Sequence, residues 1–268
     1  MSEQQTGSRI DVTLVAGGMY HDIDFARREL LTLLGEHEEF RVRVQPDYED
    51  AEAIAKGSIL VSYTCNVRPS PEAQARIRQW VVEGGRWVAL HGTNSALDVG
   101  TPNGVDSPRV FPVWAETLGS QFVAHPPIAP YLVEPSTSEH WIVDGIEPFE
   151  TDDELYLSEY ADRDALQPLL HTVWSGTARG FVESDWTTGS DHHLVMYLRE
   201  LGAGAVLYNT LGHCRGHYDM VPIVAYYPKI ERGSWDQPAY YELLRRSLYW
   251  ARGADGLPGS PSEATSAA

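Results

Sequence analysis

Histidine, glutamate and tyrosine recur in this chain beside short apolar runs, at positions where a side chain can be aimed at a target. Five polar clusters carry them: Gly18-Met19-Tyr20-His21-Asp22, His91-Gly92-Thr93-Asn94-Ser95, Phe122-Val123-Ala124-His125-Pro126, Asp152-Asp153-Glu154-Leu155-Tyr156 and Thr210-Leu211-Gly212-His213. An imidazole titrates near pH 6.5, so it can remove a proton beside a carbonyl or protonate a glycosidic oxygen. A partly buried Glu154 can act as its partner. A divalent metal held by some of His91, His125, Glu154 and His213 would polarise a carbonyl or hydroxyl. Mixed imidazole and carboxylate ligands suit zinc, manganese or iron. Metal-free acid/base chemistry by the same residues remains an equal alternative.

These residues need elements to bring them together. Residues 10–16 read as a strand ending at Gly17-Gly18, and residues 22–34 as a helix with Ile23, Ala26 and Leu30 on one face. Phe40, Val42 and Val44 alternate with arginines, giving a second strand near a sheet edge, and residues 58–63 give a third. Ser70-Pro71-Glu72 starts a helix that Gly84 closes, and the apolar run 87–90 is a fourth strand, with His91 at its corner. Strands alternating with helices imply a parallel sheet with helices on both faces, whose strand ends share one edge. His21, His91 and His213 converge there if the strands hold, and His125 and Glu154 can reach the same edge.

Beyond residue 98 the regularity fades. Residues 98–109 read as a loop and 112–118 as a short helix, and 122–173 holds short strand-like pieces broken by prolines. Order returns at 194–197 and 205–210, separated by a hairpin turn at 200–204, and 238–250 is a last helix. The expected organisation is a tail at 1–9, one α/β domain over 10–252 with an irregular inserted region near 98–190, and a disordered tail at 253–268.

Each candidate also has a bland reading. A lone histidine is usually a hydrogen-bonded structural residue, His125 can buttress the segment before Pro126, and Asp152-Asp153-Glu154 can be a solvated acidic turn. The corner position of His91, the glycine before His213 and the alternation of Glu154 and Tyr156 with leucines favour function for those residues. His217 follows His213 at i,i+4, but Gly212 and Gly216 argue against a helix there. His192-His193 reads as the surface start of a strand. Tyr20, Trp114, Trp141 and Trp186 could stack on sugar rings, although most aromatics fill cores and interfaces.

The 268 residues carry 38 acidic and 20 basic side chains, a formal charge of −18. Such a surface repels nucleic acid and anionic lipid, which excludes both as main partners. No apolar stretch is long enough to span a membrane, and the polar N-terminus has no export signal. Two cysteines, Cys65 and Cys214, suit a reducing cytoplasm, and neither lies in a Gly-x-Cys-x-Gly nucleophile corner. No G-x-G-x-x-G opens a helix, so no nucleotide cofactor is expected.

Four motifs in order, Gly84-Gly85-Arg86-Trp87-Val88-Ala89-Leu90-His91-Gly92, Leu118-Gly119 with Phe122 and His125-Pro126, Asp153-Glu154-Leu155-Tyr156, and Gly204-Ala205-Val206-Leu207-Tyr208-Asn209-Thr210-Leu211-Gly212-His213, resemble the ThuA-like (trehalose utilisation) family over residues 11–252. The resemblance implies a flavodoxin-like, class I glutamine amidotransferase-like α/β fold without the amidotransferase cysteine. It also implies a role in catabolism of trehalose and other glycosides after oxidation to keto-sugars. By matching positions it implicates His91, His125, Glu154, His213 and His21; the first motif departs from the family pattern at Gly17-Gly18-Met19-Tyr20. Together these readings give His91, His213 and Glu154 as catalytic residues, Tyr20, His21, Asn94 and Tyr156 as substrate contacts, and His91, His125, Glu154 and His213 as metal ligands. The expected protein is a cytoplasmic enzyme that isomerises, eliminates from or hydrolyses a glycoside or keto-sugar, compatible with a homo-oligomer. The rival from another class is a non-catalytic sugar-binding or assembly module, whose histidines would lie open on the surface.

Overall fold

The computed structural model describes residues 9–136, 139–254 and 256. The expected tails at 1–9 and 253–268 therefore lie outside the described residues, except for Arg9, Gly253, Ala254 and Gly256. The chain runs β1 (Ile10–Gly18), α1 (Ile23–Leu34), β2 (Phe40–Gln45), α2 (Ala51–Ile54), β3 (Ile59–Cys65), α3 (Pro71–Val82) and β4 (Arg86–Leu90). It continues through β5 (Asp98–Thr101), β6 (Gly104–Asp106), α4 (Pro112–Leu118), β7 (Ser120–Ala124), β8 (Tyr131–Pro135), β9 (Phe149–Thr151) and β10 (Leu157–Tyr160). The last elements are β11 (Gln167–Val173), β12 (His192–Leu201), β13 (Gly204–Asn209) and α5 (Pro238–Ala251).

Nine strands form one central sheet in the order β2-β1-β3-β4-β13-β12-β11-β8-β9. The first five are mutually parallel. From β13 outward every pairing is antiparallel, so the sheet is mixed: a parallel half extended by four antiparallel strands. The turn between β12 and β13 is tight enough for a hairpin, which is what reverses the direction at that point. As expected, β2 lies at the sheet edge.

Side chains alternate across the sheet and pack helices on both faces. Val88 and Leu90 of β4 join α1 (Leu30, Leu33) and α5 (Leu244, Leu248) on one side. Trp87 and Ala89 meet α3 (Ile77, Val81) and α4 (Trp114, Leu118) on the other. The helix starts expected from sequence are built as such: Asp22 Oδ1 accepts from Phe25 N at 3.1 Å, and Ser70 Oγ accepts from Ala73 N at 3.3 Å. No helix among the described residues is long and apolar enough to cross a membrane.

Two expectations need correction. Residues 98–109 are not simply a loop: β5 and β6 pair as a hairpin around Pro102-Asn103, with Gly104 at φ 115° taking the return. His193 is not a surface residue but is buried, with Nε2 donating to the Trp174 carbonyl at 3.0 Å, while its neighbour His192 faces solvent.

Candidate active site

The carboxyl ends of β1, β4 and β13 supply His21, His91 and His213, so the parallel half brings three imidazoles to one edge. His91 is the first residue after β4 and sits at φ 47°, a left-handed conformation that costs a side-chain-bearing residue about 1–3 kcal/mol. Its carbonyl accepts from the buried Tyr208 hydroxyl and its Nδ1 lies 2.8 Å from the Thr210 carbonyl, so strand and ring are both held. Gly92 must be glycine, because a Cβ would stand 2.6 Å from the Thr64 carbonyl oxygen and 2.9 Å from Cys65 Cβ. The corner thus aims His91 Nε2 at His21 Nε2, 2.8 Å away.

Glu154 arrives from the segment between β9 and β10, where Leu155 packs into a small core with Val123 and Ala124 while Glu154 and Tyr156 turn towards the histidines. The carboxylate is buried among four histidines and one arginine. His213 Nδ1 is 3.1 Å from Oε1, His91 Nε2 3.4 Å and His21 Nε2 3.6 Å from Oε2, and His125 Nε2 3.6 Å from Oε1. Arg215 Nη2 donates to Oε1 at 3.2 Å and Nη1 to Glu231 Oε2 at 3.0 Å. Tyr156 Oη is 3.2 Å from His91 Nε2.

Charge in this centre is set by competition between burial and neighbours. Burial alone would raise the Glu154 carboxyl, but the charge of the adjacent His213 holds it well below the usual carboxylate range. Burial also opposes charging His213, yet Glu154 and Glu231 lift it to about 9. For His21 burial outweighs the pull of Glu154 and pushes it down to about 3, and burial lowers His125 as well. Burial and Glu154 keep the Tyr156 hydroxyl protonated well above its ordinary range.

The neighbour of Glu154 explains why the centre holds together. Asp153 is not part of a solvated turn: its buried carboxylate accepts from the backbone N–H of Gly212 (2.9 Å), His213 (3.1 Å), Ser234 (2.9 Å) and Glu154 itself (2.7 Å). One side chain therefore ties the irregular segment to the loop that carries His213.

A cavity of about 90 Å³ opens on this centre. Tyr20, His21, Ser95, His125, Glu154, Tyr156 and Arg215 are its polar lining, and Cys65, at the end of β3, is part of the wall. Val99 and Val105 of the β5–β6 hairpin, with Phe181, Met220 and Ile223, form its apolar mouth. His91 and His213 lie behind this lining rather than on it.

Of the expected contacts, Tyr20, His21 and Tyr156 reach the cavity and Asn94 does not. Asn94 is fully buried in the turn after His91, with Nδ2 donating to Ser120 Oγ at 2.9 Å, so it braces the corner and stands off the cavity. Trp114 is core, and neither Trp141 nor Trp186 lines this cavity. His217 binds the Tyr227 carbonyl at 2.7 Å and takes no part in the centre. The donor atoms that lie mutually within 4.8 Å belong to His21, His91, Glu154 and His213, so His21 occupies the place expected of His125. Sequence reading missed Asp153, Arg215 and Glu231. Arg215 stands two residues after His213 and could have been suspected on that spacing; nothing in the sequence singles out Glu231.

The geometry defines an α/β protein with a buried histidine–carboxylate centre at the carboxyl edge of its parallel strands. Residues 11–225 match the sequence model of the family described as ThuA, trehalose utilisation. The chain belongs to that family. No curated protein matches it in sequence. Among solved structures it is similar to a ThuA-like protein from Bacteroides uniformis, with 15% identity, TM-score 0.64, and 95% of this chain and 96% of that one covered. It is also similar to a ThuA-like protein from Parabacteroides merdae, with 14% identity, TM-score 0.59, and 94% and 93% covered. A β-galactosidase from Bacillus circulans sp. alkalophilus shares the fold over 94% of this chain but only 32% of its own length, at 12% identity and TM-score 0.52.

Proposed function

We propose that this protein is an enzyme of carbohydrate catabolism that acts on a glycoside or keto-sugar by proton transfer. The carrying observation is the convergence of a buried, ionised Glu154, four histidines and a neutral Tyr156 in one centre that opens on a cavity. A binding module has no need to bury such a centre, whereas a catalyst gains from groups held in fixed protonation states out of water. The trehalose-utilisation description of the family supports a sugar as substrate.

Four of the groups that line the cavity can carry the transfer. His125 donates Nδ1–H to the Pro126 carbonyl at 2.7 Å, which leaves Nε2 as the electron pair facing the centre, and burial keeps the ring neutral. It is placed to take a proton from a carbon beside a keto group. Tyr156 Oη can donate to the oxygen on which charge develops, and Arg215 supplies a fixed positive charge there. Glu154 holds the histidines and can exchange a proton with the substrate. His91 and His213 act through Tyr156 and Glu154. Isomerisation, elimination and hydrolysis all begin with such a transfer.

The parallel half, in the order β2-β1-β3-β4-β13, has the 2-1-3-4-5 order of flavodoxin-like sheets, which supports kinship with the class I glutamine amidotransferase-like fold. His91 would then occupy the corner where that fold carries its nucleophile. Two free, buried thiols, Cys65 and Cys214, favour a cytoplasmic setting.

Proton NMR of a 3-keto-glycoside in D₂O tests the reading. Wild type should exchange or eliminate the proton beside the carbonyl and leave the parent sugar alone, and His125→Ala and Glu154→Gln should each slow this by a factor of roughly 10²–10⁴. Binding of the keto-sugar without exchange or turnover would overturn the enzyme reading in favour of the module.

A further inference from the structure

Three imidazoles of the centre are oriented in the same sense. The outer nitrogen of each faces an oxygen outside the cluster: His21 Nδ1 is 3.3 Å from the Met19 carbonyl, His91 Nδ1 2.8 Å from the Thr210 carbonyl, and His213 Nε2 2.9 Å from Glu231 Oε2. A carbonyl or an ionised carboxylate only accepts, so the outer nitrogen carries the N–H in every ring. In the neutral rings the inner atoms, His21 Nε2, His91 Nε2 and His213 Nδ1, present electron pairs, and an ion would displace any second proton that His213 carries. They lie with a Glu154 oxygen within 4.8 Å of one another, and all four residues are buried.

Four electron-pair donors facing one another repel unless something electron-poor lies between them. His21 Nε2 and His91 Nε2 are 2.8 Å apart. His213 Nδ1 is fully buried and has no hydrogen-bond partner, although Glu154 Oε1 is 3.1 Å away, because the two atoms are not aligned on each other. The Tyr156 hydroxyl can serve His91 alone. Without an ion two separate protons are needed, one shared by His21 and His91 and one on His213 Nδ1 beside Glu154 Oε1. A cation bound by all four relieves every conflict together.

We propose that His21, His91, His213 and Glu154 form a binding site for one divalent transition-metal ion, with His125 outside it. Three imidazoles and one carboxylate favour zinc, iron or manganese over magnesium and calcium, which prefer all-oxygen surroundings. Outer hydrogen bonds to two carbonyls and a carboxylate are the support that ligating histidines ordinarily have. His21 and Glu154 also line the cavity, so a substrate oxygen has access to the ion. The proposal does not depend on the sugar, since the ion would bind whatever the substrate.

The test uses the full chain without a histidine tag, stripped by a chelator and titrated with Co²⁺ and with Zn²⁺. Calorimetry should give one equivalent of either ion, and Co²⁺ should develop the visible bands of a nitrogen-ligated, low-coordinate site. A hundredfold excess over Kd should raise Tm by about 5 °C or more, since the ion binds only the folded state. His21→Gln and His91→Gln should each weaken binding by about 100-fold or more, Glu231→Gln by about 10–100-fold, and His125→Gln should leave the stoichiometry intact. Circular dichroism of each metal-free variant is read first, and His21→Gln decides if His91→Gln misfolds at its strained corner. Failure of wild type to bind either ion, or loss of binding in His125→Gln with retention in His21→Gln, would overturn the site. Neither result would touch the keto-sugar test, which is read by NMR.

Discussion

The parallel half of the sheet and the irregular segment between β5 and β11 divide the work unequally. The parallel half supplies imidazoles from three strand ends, each placed by a regular strand and a short turn. The segment from β5 to β11 supplies the carboxylate, the tyrosine and His125 from short strands and loops. One half fixes direction through backbone geometry, as the left-handed His91 and the compressed Gly92 do. The other fixes charge, through Glu154 among its cations and Asp153 among its backbone donors. Regular structure can aim neutral side chains, but burying an anion requires partners gathered from several segments.

The sharpest way to break this contrast is Glu154→Gln. If the irregular half holds the charge, the variant should lose roughly 10²–10⁴ in kcat and about 3–5 kcal/mol in unfolding free energy, because His213 and Arg215 would keep only the less buried Glu231 as counter-ion. Urea unfolding with near wild-type stability would show that the carboxylate is not the keystone. Next in size is Asp153→Ala. Four backbone N–H groups lose their acceptor at a cost of about 1–3 kcal/mol for each that stays buried and unpaired, so a loss of at least about 3 kcal/mol is expected, with His213 displaced. An unaltered His213 resonance in that variant would remove Asp153 from its tying role.

A smaller effect is expected from the parallel half. Gly92→Ala places a methyl against Thr64 and Cys65, so the corner must shift, at about 1–3 kcal/mol and with loss of activity out of proportion to the loss of stability. A fully active Gly92→Ala would mean that the His91 corner tolerates movement. The smallest effect is a pH dependence on the antiparallel strands. Burial holds His193 below its usual 6.5, so the folded protein keeps it neutral while the unfolded chain binds a proton. Its contribution is present above about pH 6.5 and lost as pH falls below it. Chemical unfolding at pH 7.5 and 5.5 should show a smaller drop for His193→Gln than for wild type; an equal drop would place the acid sensitivity elsewhere.

The same contrast decided what could be read from sequence. The parallel half announced itself because strand and helix periods are local: the run 87–90, the Ser70-Pro71 start and the Asp22 cap are each contained in a few residues. Convergence of His21, His91 and His213 then followed from the shared strand edge. Glu154 was legible through its alternation with leucines, but Asp153 was not, since its partners Gly212 and Ser234 lie about sixty and eighty residues away. Asn94 was misplaced because its position near His91 says nothing about the direction of its side chain, which turns to Ser120. The reversal of the sheet after β13 was also hidden: a hairpin turn was visible at 200–204, but the strands that follow β12 outward are short and interrupted by Pro130, Pro135, Pro148 and Pro168.

Asp153 and Glu154 are consecutive, and that adjacency has an engineering consequence. Asp153 behaves as an alignment pin seated in the His213 loop, and Glu154 is machined one peptide unit from it. The walls of the cavity, in contrast, come from Val99, Val105 and Phe181, which belong to a separate hairpin and loop docked to each other through Val105 and Phe181. Wall and pin are thus independent parts. A library that recombines the hairpin and the 174–186 loop should alter which ligands fit while the centre stays in register, whereas a single-residue insertion between Asp153 and Glu154 should leave the walls standing around a centre that no longer assembles.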